Sequence, residues 1–235
     1  MKLDVMFCST ARDSQELQGR SRFNPLNNPP HPDVSYRGQY SNTVPLPRRY
    51  NQFIDLLHPA TTSSGANAAY AVFCHDDILI TDPDWVDKIK AGLETYDVVG
   101  LAGGSDAVIR NPCLWHIMCP KETHRGDVSH VDTSNNATFP THFGPQGRVL
   151  ILDGLFLAFK VKTFLNFAKP FDESNPCLAH FYDIDFSLNC NKHKLKLGTV
   201  PVRAVHSSPG LRSFTPEWLS GQTWFVDKVL RGEYS

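Results

Sequence analysis

The sequence lacks the features that mark several large classes of protein. Its charges nearly cancel, with 23 Lys and Arg against 24 Asp and Glu, and no basic stripe runs along the chain. Proteins that grip a phosphate backbone usually carry such a stripe, so nucleic acid is not an expected partner. No segment approaches the ~20 apolar residues of a membrane span, since the longest candidate, residues 149–159, is interrupted by Asp153.

The first residues are not expected to be a secretory signal, because Asp4 lies inside the first apolar run and no long hydrophobic region follows. None of the six cysteines forms a C-x-x-C pair, and several lie in apolar runs, where cysteine usually packs as a small hydrophobe. We therefore expect a cytoplasmic protein without a membrane span. With 235 residues, 41% of them hydrophobic, residues 1–235 are expected to form one domain with a substantial core.

Apolar runs of strand length alternate with segments of helical periodicity, which favours a parallel sheet with helical crossovers. Two helix starts have clear signals, Asp82-Pro83 and Thr215-Pro216, each an N-cap residue followed by a first-turn proline. Residues 20–48 and 106–147 look like long irregular loops, which in compact domains are often functional. The expected strands cover residues 3–8, 69–74, 98–102, 149–152, 155–159 and 197–205, and the expected helices begin near residues 47, 82, 162, 181 and 215.

Two adjacent carboxylates, Asp76 and Asp77, directly follow a buried strand. In open α/β sheets, ligands bind at the carboxyl ends of the strands. Neighbouring carboxylates repel each other unless a cation or hydrogen-bond donors lie close by, so a hard divalent metal is a natural occupant. A turn before the next helix is an equally simple explanation for this pair.

Three more acidic residues and one histidine occupy comparable positions. Asp153 interrupts an apolar run, which is costly unless it is paired or lines a site, although a turn at Gly154 also explains it. Asp183 and Asp185 stand at a helix start, where the helix dipole favours carboxylates even without a catalytic role. His206 ends the last strand, and a lone histidine is more often structural than a ligand.

The order of these features is more specific than any one of them. Along the chain they are His75-Asp76-Asp77 after a strand, Gly103-Gly104-Ser105 after a strand, the segments 152–158, 171–173 and 181–188, and finally His206. Between residues 49 and 206 this order resembles the GT-A glycosyltransferases, specifically the family-2-like group with a His-x-Asp metal motif. The resemblance implies an α/β fold, a single GT-A (Rossmann-like) domain whose mostly parallel central sheet is flanked by helices, with long loop insertions.

The resemblance also implies an activity: transfer of a sugar from a nucleotide-sugar donor to a glycan or other hydroxyl acceptor, with inversion and a divalent metal, Mn²⁺ or Mg²⁺. Asp77 would bind that metal, and His206 would complete its shell. His75 stands where the family has its first Asp, so it joins the candidate metal ligands. This departure leaves two roles open for Asp76, contact with the ribose or with the metal.

The remaining roles follow the same resemblance. Ser9, Thr10 and Ala11, which come after the first strand, would border the nucleotide. Asp153 would lie near the donor sugar or the acceptor. Asp183 matches the general base of inverting enzymes, with Asp185 as its rival.

Three other interpretations remain open from the sequence. A metal-dependent nucleotidyl- or phosphoryl-transfer enzyme would also use acidic strand ends, although no G-x-x-x-x-G-K-[ST] loop is present. A sugar- or nucleotide-binding module without catalysis could stack sugar rings on Trp115, Tyr182, Trp218 and Trp224, although such aromatics are more often part of a buried core. A zinc site could combine the loop histidines with Cys113 and Cys119, although their spacing matches no zinc-finger pattern.

Overall fold

Strands and helices alternate along the chain in the computed structural model, which describes residues 2–57, 68–106, 115–132, 135–164, 167–208 and 214–234. The strands are β1 (Lys2–Cys8), β2 (Val34–Gln39), β3 (Ala68–Cys74), β4 (Ile78–Ile80), β5 (Val98–Gly100), β6 (Ala102–Gly104), β7 (His124–Val131), β8 (Thr138–Gly144), β9 (Arg148–Val149), β10 (Ile151–Leu152), β11 (Phe156–Lys160), β12 (Leu197–Thr199) and β13 (Ala204–His206). The helices are α1 (Ser14–Arg20), α2 (Leu46–Leu57), α3 (Trp85–Thr95), α4 (Trp115–Met118), α5 (Tyr182–Lys192) and α6 (Pro216–Leu230).

The central sheet has seven strands in the order β2-β1-β3-β11-β5-β12-β9. Strands β2, β1, β3, β5 and β12 run in one direction, whereas β11 and β9 run antiparallel to their neighbours. Side chains of β1 and β3 alternate between two apolar clusters, with Val5 and Val72 in one and Met6 and Phe73 in the other. The sheet is thus buried on both faces, as expected for a mostly parallel sheet covered by helices. The α/β fold predicted from the sequence is confirmed.

A second, smaller sheet packs beside the first, in the order β10-β6-β7-β13-β4, with β8 paired to β7. Two runs expected to be single strands are divided between the sheets: residues 149–152 form β9 and β10, and residues 197–205 form β12 and most of β13. The run 149–152 is apolar throughout, so its hydrophobicity gave no sign of where the chain crosses from one sheet to the other. In the run 197–205, Pro201 and Arg203 lie between β12 and β13 and mark the place where the strand is interrupted.

The two segments expected to be irregular contain regular structure. Residues 20–48 include β2, which forms a parallel edge strand beside β1, and residues 106–147 include the antiparallel pair β7 and β8. These strands are polar or half-exposed, and edge and hairpin strands of this kind lack the apolar runs by which buried strands are recognised. The expected helix near residue 162 is only a 3₁₀ turn at Val161–Thr163, and residues 165–166 lie outside the described part of the chain.

The predicted start of α3 was also wrong, since the helix begins at Trp85 and its N-cap residue is Asp84. The buried Asp82 carboxylate accepts hydrogen bonds from Lys88 Nζ at 2.5 Å and from the backbone N–H of Arg203 at 3.3 Å. It therefore joins α3 to the segment before β13. The C-terminal helix α6 begins as predicted, with Thr215 Oγ1 accepting from the Trp218 N–H. None of the described helices is both long and apolar enough to cross a membrane.

A buried cation attaches α6 to α5. Lys228 Nζ lies 2.5 Å from Asp185 Oδ1 and 2.6 Å from Asp172 Oδ2, and the Tyr234 hydroxyl donates to the same Asp185 oxygen at 2.5 Å. Lys228 and Asp185 are both almost fully buried. Removing one partner of such a pair leaves an uncompensated buried charge, so the network stabilises the helix pair only while it is complete.

We predict that Lys228→Met lowers the free energy of unfolding by about 3–5 kcal/mol, the usual result of breaking a buried ion pair from one side. Denaturant unfolding of both proteins measures the difference. Lys192→Met is the matched control, because Lys192 is exposed and, among the described residues, its ammonium group hydrogen-bonds only the Glu233 carbonyl oxygen. Its expected effect is within about 0.5 kcal/mol. Equal effects of the two substitutions would contradict a stabilising role for the buried network.

Candidate active site

The backbone brings His206 beside Asp77. The chain leaves β3, turns through His75-Asp76-Asp77 and enters β4, whose Ile78 pairs with His206 of the antiparallel β13. The Ser207 N–H donates to the Asp77 carbonyl oxygen at 2.9 Å, which continues this pairing beyond the strands. Two residues 129 positions apart in sequence are therefore neighbours because of strand register.

His75, Asp77 and His206 form a cluster whose potential ligand atoms lie within 4.8 Å of one another. His206 Nε2 is 3.2 Å from Asp77 Oδ1 and 3.4 Å from His75 Nδ1, and His75 Nδ1 is 3.9 Å from Asp77 Oδ1. Ligand atoms bound to one metal at about 2.0–2.2 Å would be separated by similar distances. Two imidazoles and a carboxylate are suitable first-row metal ligands, so the donor set fits a divalent ion. It is the one such group among the residues that the structure describes.

Electrostatic interactions within the cluster favour opposite charges on Asp77 and His206. Burial opposes the charged form of each, but their mutual hydrogen bond and charge interaction outweigh it, so the pKa of Asp77 is lowered and that of His206 is raised. His75 differs, since burial and the neighbouring His206 lower its pKa and keep the ring neutral. A neutral imidazole is the form that binds metals.

A cleft of about 260 Å³ ends at this cluster, and its wall includes two of the residues expected to border a nucleotide, Ser9 and Thr10. Asp76 also lines the cleft, and its carboxylate is hydrogen-bonded to Ser9. Burial and the neighbouring charge of Asp77 raise the pKa of Asp76, although the hydrogen bond with Ser9 acts to lower it. Ala11, the third residue expected to border the nucleotide, is fully buried and is not part of the cleft wall; its N–H donates to Ser9 Oγ. The other lining residues are Cys8, Asn42, Leu46, Tyr50, Cys74, His75, Asp77, Leu178 and Ala179.

Asp153 and Asp183 approach the cluster from two other elements. Strand β11 is antiparallel to β3. Leu155, the residue before β11, accepts a hydrogen bond from the His75 N–H through its carbonyl oxygen at 3.0 Å. Residues 153–155 therefore lie beside the end of β3. Asp183, in the first turn of α5, accepts the Gly154 N–H at 3.0 Å. A Cβ on Gly154 would lie 2.2 Å from the Tyr182 hydroxyl and 2.8 Å from Asp183 Cβ, so only glycine allows this approach.

Asp183 holds its proton unusually strongly. Burial, and to a lesser extent the negative charge of Asp153, raise the pKa of Asp183 to about 7. Hydrogen bonds donated by the Gly154 and Ile184 N–H groups act to lower it but are outweighed. A carboxyl group with a pKa near the working pH is suited to exchange protons with a substrate. Asp153 is held in place by Trp115 Nε1, which donates to Oδ2 at 2.7 Å, and by the Leu155 N–H, which donates to Oδ1 at 3.0 Å.

Two groups considered from the sequence lie outside this arrangement. Asp185, the rival of Asp183, is two residues further along α5 and its carboxylate is held by Lys228 and Tyr234. The zinc hypothesis finds no cluster among the described residues: Cys119 is buried with its carbonyl oxygen bonded to His124 Nε2, and Cys113 lies outside those residues.

Two aromatic residues of the site, Trp115 and Tyr182, were considered from the sequence only as sugar-stacking side chains. Trp115 instead contacts Asp153 while packing against the rings of His124 and Phe143. The hydroxyl oxygen of Tyr182 lies 3.0 Å from His75 Nε2. Its position directly before Asp183 was the one available sign of its place in the site.

Comparison with known proteins gives a family match and similar solved structures. The profile of the Glycosyltransferase like family matches residues 60–208, more than half of the chain. No curated protein gives a significant match. Among solved structures, the chain is similar to that described as the crystal structure of A197 from STIV, with 13% identity, a TM-score of 0.48, and coverage of 88% of this chain and 86% of that one. By the family match, the chain belongs to the glycosyltransferase-like family and is a glycosyltransferase enzyme with a GT-A fold.

Proposed function

We propose that the enzyme transfers a sugar from a nucleotide-sugar donor to a hydroxyl acceptor in one metal-dependent, inverting displacement. One observation carries this proposal: the cleft that begins at Ser9 ends at the cluster of His75, Asp77 and His206, next to a carboxyl group of raised pKa. A leaving diphosphate and an acceptor proton need separate partners, and the site offers one for each.

The cleft residues are proposed to hold the nucleotide. Ser9 and Thr10 lie at the end of β1 and Asp76 at the end of β3, so both strands direct polar groups to the same edge of the sheet. We assign Asp76 the role of contacting the ribose, because its carboxylate is hydrogen-bonded to Ser9 in the cleft. Asp77 points instead to the two histidines and is assigned to the metal.

A divalent cation held by His75, Asp77 and His206 would neutralise the charge that develops on the leaving diphosphate. Two imidazole ligands favour Mn²⁺ over Mg²⁺, since magnesium prefers oxygen ligands and keeps much of its water. The three protein ligands also leave coordination positions for phosphate oxygens.

Asp183 is proposed as the general base. Its carboxylate takes the proton of the acceptor hydroxyl while that oxygen forms a bond to the anomeric carbon of the donor. The bond between this carbon and the diphosphate oxygen breaks at the same time, and its electron pair leaves with the nucleoside diphosphate. Attack from the face opposite the leaving group inverts the configuration. Asp153, which contacts Trp115, is proposed to lie near the donor sugar or the acceptor.

Residues 1–235 are proposed to act as one domain, although the family match begins at residue 60. Two observations support this: β1 lies between β2 and β3 in the central sheet, and Ser9 and Thr10 share one cleft with Asp76 and Asp77. A fragment lacking the first strand would lose one wall of the proposed nucleotide site.

The products separate this function from the two alternatives. We expect the full-length protein, incubated with Mn²⁺, a panel of nucleotide-sugars and hydroxyl acceptors, to release nucleoside diphosphate, measured by chromatography. Release of pyrophosphate would indicate nucleotidyl transfer. Donor binding, detected as a rise in Tm, without any turnover across the panel would favour a non-catalytic binding module.

His206→Ala should weaken Mn²⁺ binding by more than the roughly 10–100-fold that loss of an outer-shell partner costs, because a direct ligand is removed. Isothermal titration calorimetry measures the affinity, and the Tm without metal reports any folding defect. His142→Ala is the control, since His142 is an exposed residue of β8 that contacts Asp127. An unchanged affinity in His206→Ala would exclude His206 as a ligand, and full activity in excess chelator would exclude metal dependence.

Asp183→Asn should reduce turnover by about 10²–10⁴-fold, the usual contribution of a positioned general base, with donor and metal affinity close to normal. The amide is nearly the same size but cannot accept the proton. Asp185→Asn is the matched control, two residues away on α5, and should retain turnover at temperatures where the variant is folded. If Asp185→Asn is inactive and Asp183→Asn is active, the assignment of the base is wrong.

The raised pKa of Asp183 also predicts the pH dependence of kcat/KM for the acceptor. Only the deprotonated carboxylate acts as a base, so kcat/KM should rise about tenfold per pH unit below pH 7 and level off above the pKa of about 7. A pH series in the presence of saturating donor measures this profile, and its slope should be lost in Asp183→Asn. A flat profile between pH 5 and 8 in the unsubstituted enzyme would contradict proton transfer to Asp183.

A further inference from the structure

The Tyr182 hydroxyl contacts two polar groups of the site. It lies 3.0 Å from His75 Nε2 and 2.9 Å from the carbonyl oxygen of Gly154. Tyr182 itself is buried in an aromatic cluster, with its ring edge-on to Tyr50, and Gly154 has no side chain to occupy the space of the hydroxyl. The contact with His75 is therefore fixed by packing on several sides.

The chemistry of these groups allows one arrangement of hydrogens in which both contacts are hydrogen bonds. A carbonyl oxygen can only accept, so the single proton of the Tyr182 hydroxyl must point to Gly154. The hydroxyl oxygen must then accept from His75, which requires a proton on Nε2. In neutral imidazole a proton on Nε2 leaves Nδ1 with a free lone pair.

This lone pair faces the other two members of the cluster. Nδ1 is the His75 atom that lies 3.4 Å from His206 Nε2 and 3.9 Å from Asp77 Oδ1. The opposite tautomer would place an N–H there and block the nitrogen as a ligand. The hydrogen bond to one ring nitrogen thus determines what the other can bind, as with the outer-shell partners of metal-bound histidines.

We propose that Tyr182 is a positioning residue that holds His75 in its Nε2–H tautomer, so that Nδ1 is directed at a divalent cation shared with Asp77 and His206. The part concerning the cation rests on the proposed function, whereas the tautomer is a property of the metal-free protein. Gly154 takes part through its carbonyl oxygen, which accepts the hydrogen bond donated by the tyrosine hydroxyl. The same tyrosine thereby links the first turn of α5, where Asp183 lies, to the end of β3.

Long-range ¹H–¹⁵N correlation spectra of the ¹⁵N-histidine-labelled, metal-free full-length protein test the tautomer directly. We expect Nε2 of His75, assigned by the loss of its signals in His75→Gln, to resonate as a protonated nitrogen and Nδ1 as an unprotonated one. Protonated Nδ1 in the unsubstituted protein would overturn the proposal, whatever the effect of any variant.

Tyr182→Phe keeps the ring and removes the hydroxyl, so the His75 signals should shift towards a mixture of tautomers and Mn²⁺ affinity should fall by about 10–100-fold. Tyr70→Phe is the matched control, because it makes the same change in a buried tyrosine of β3 that does not line the cleft. It should leave the His75 tautomer and Mn²⁺ affinity unchanged. An unaltered tautomer in Tyr182→Phe would overturn the proposal. Absence of Mn²⁺ binding in the unsubstituted protein, together with the expected tautomer, would overturn the proposed metal site but not the role of Tyr182 on His75.

Discussion

The site depends on one feature of the sheet, the insertion of β11 antiparallel between β3 and β5. Because β11 runs opposite to β3, it begins at the edge where β3 ends, and the turn that precedes it lies beside His75. A parallel strand in this place would carry residues 153–155 to the far edge of the sheet. The Gly154 N–H and carbonyl oxygen then fix Asp183 and Tyr182, so the position of α5 relative to the cluster follows from the direction of β11.

The carboxylates at this edge have opposite electrostatic environments, although all are partly or fully removed from water. Asp77 faces two histidines, and against the effect of burial its hydrogen bond and charge interaction with His206 lower its pKa. Asp183 faces Asp153, and burial together with this like charge raises its pKa to about 7. Two acidic groups whose environments move their pKa values apart are suited to different tasks, one as a permanent anion and the other as a proton acceptor. The proposed division between metal ligand and general base has this physical origin.

The sequence was informative where local chemistry determines structure and uninformative where distant partners do. Buried strands β1 and β3 follow from their apolar runs, and the start of α6 follows from Thr215 and Pro216. The choice between Asp183 and Asp185 could not be made, because it depends on Lys228, which is 43 residues away and pairs with Asp185. The hairpin of β7 and β8 was missed for a related reason, since its half-exposed strands are stabilised by pairing with each other and with the second sheet.

The hairpin of β7 and β8 connects the second sheet to the carboxylates that are proposed to be catalytic. Trp115 packs between His124 of β7 and Phe143 of β8, and its Nε1 donates to Asp153. Asp153 has one oxygen held by this indole and the other by the Leu155 N–H, so its position is fixed from both sides. Because its charge adds to burial in raising the pKa of Asp183, Asp153 would influence the proposed proton transfer even without receiving the acceptor proton itself. Changes in the hairpin would therefore affect the proposed general base through a defined sequence of contacts: aromatic packing on Trp115, its hydrogen bond to Asp153, and the charge interaction of Asp153 with Asp183.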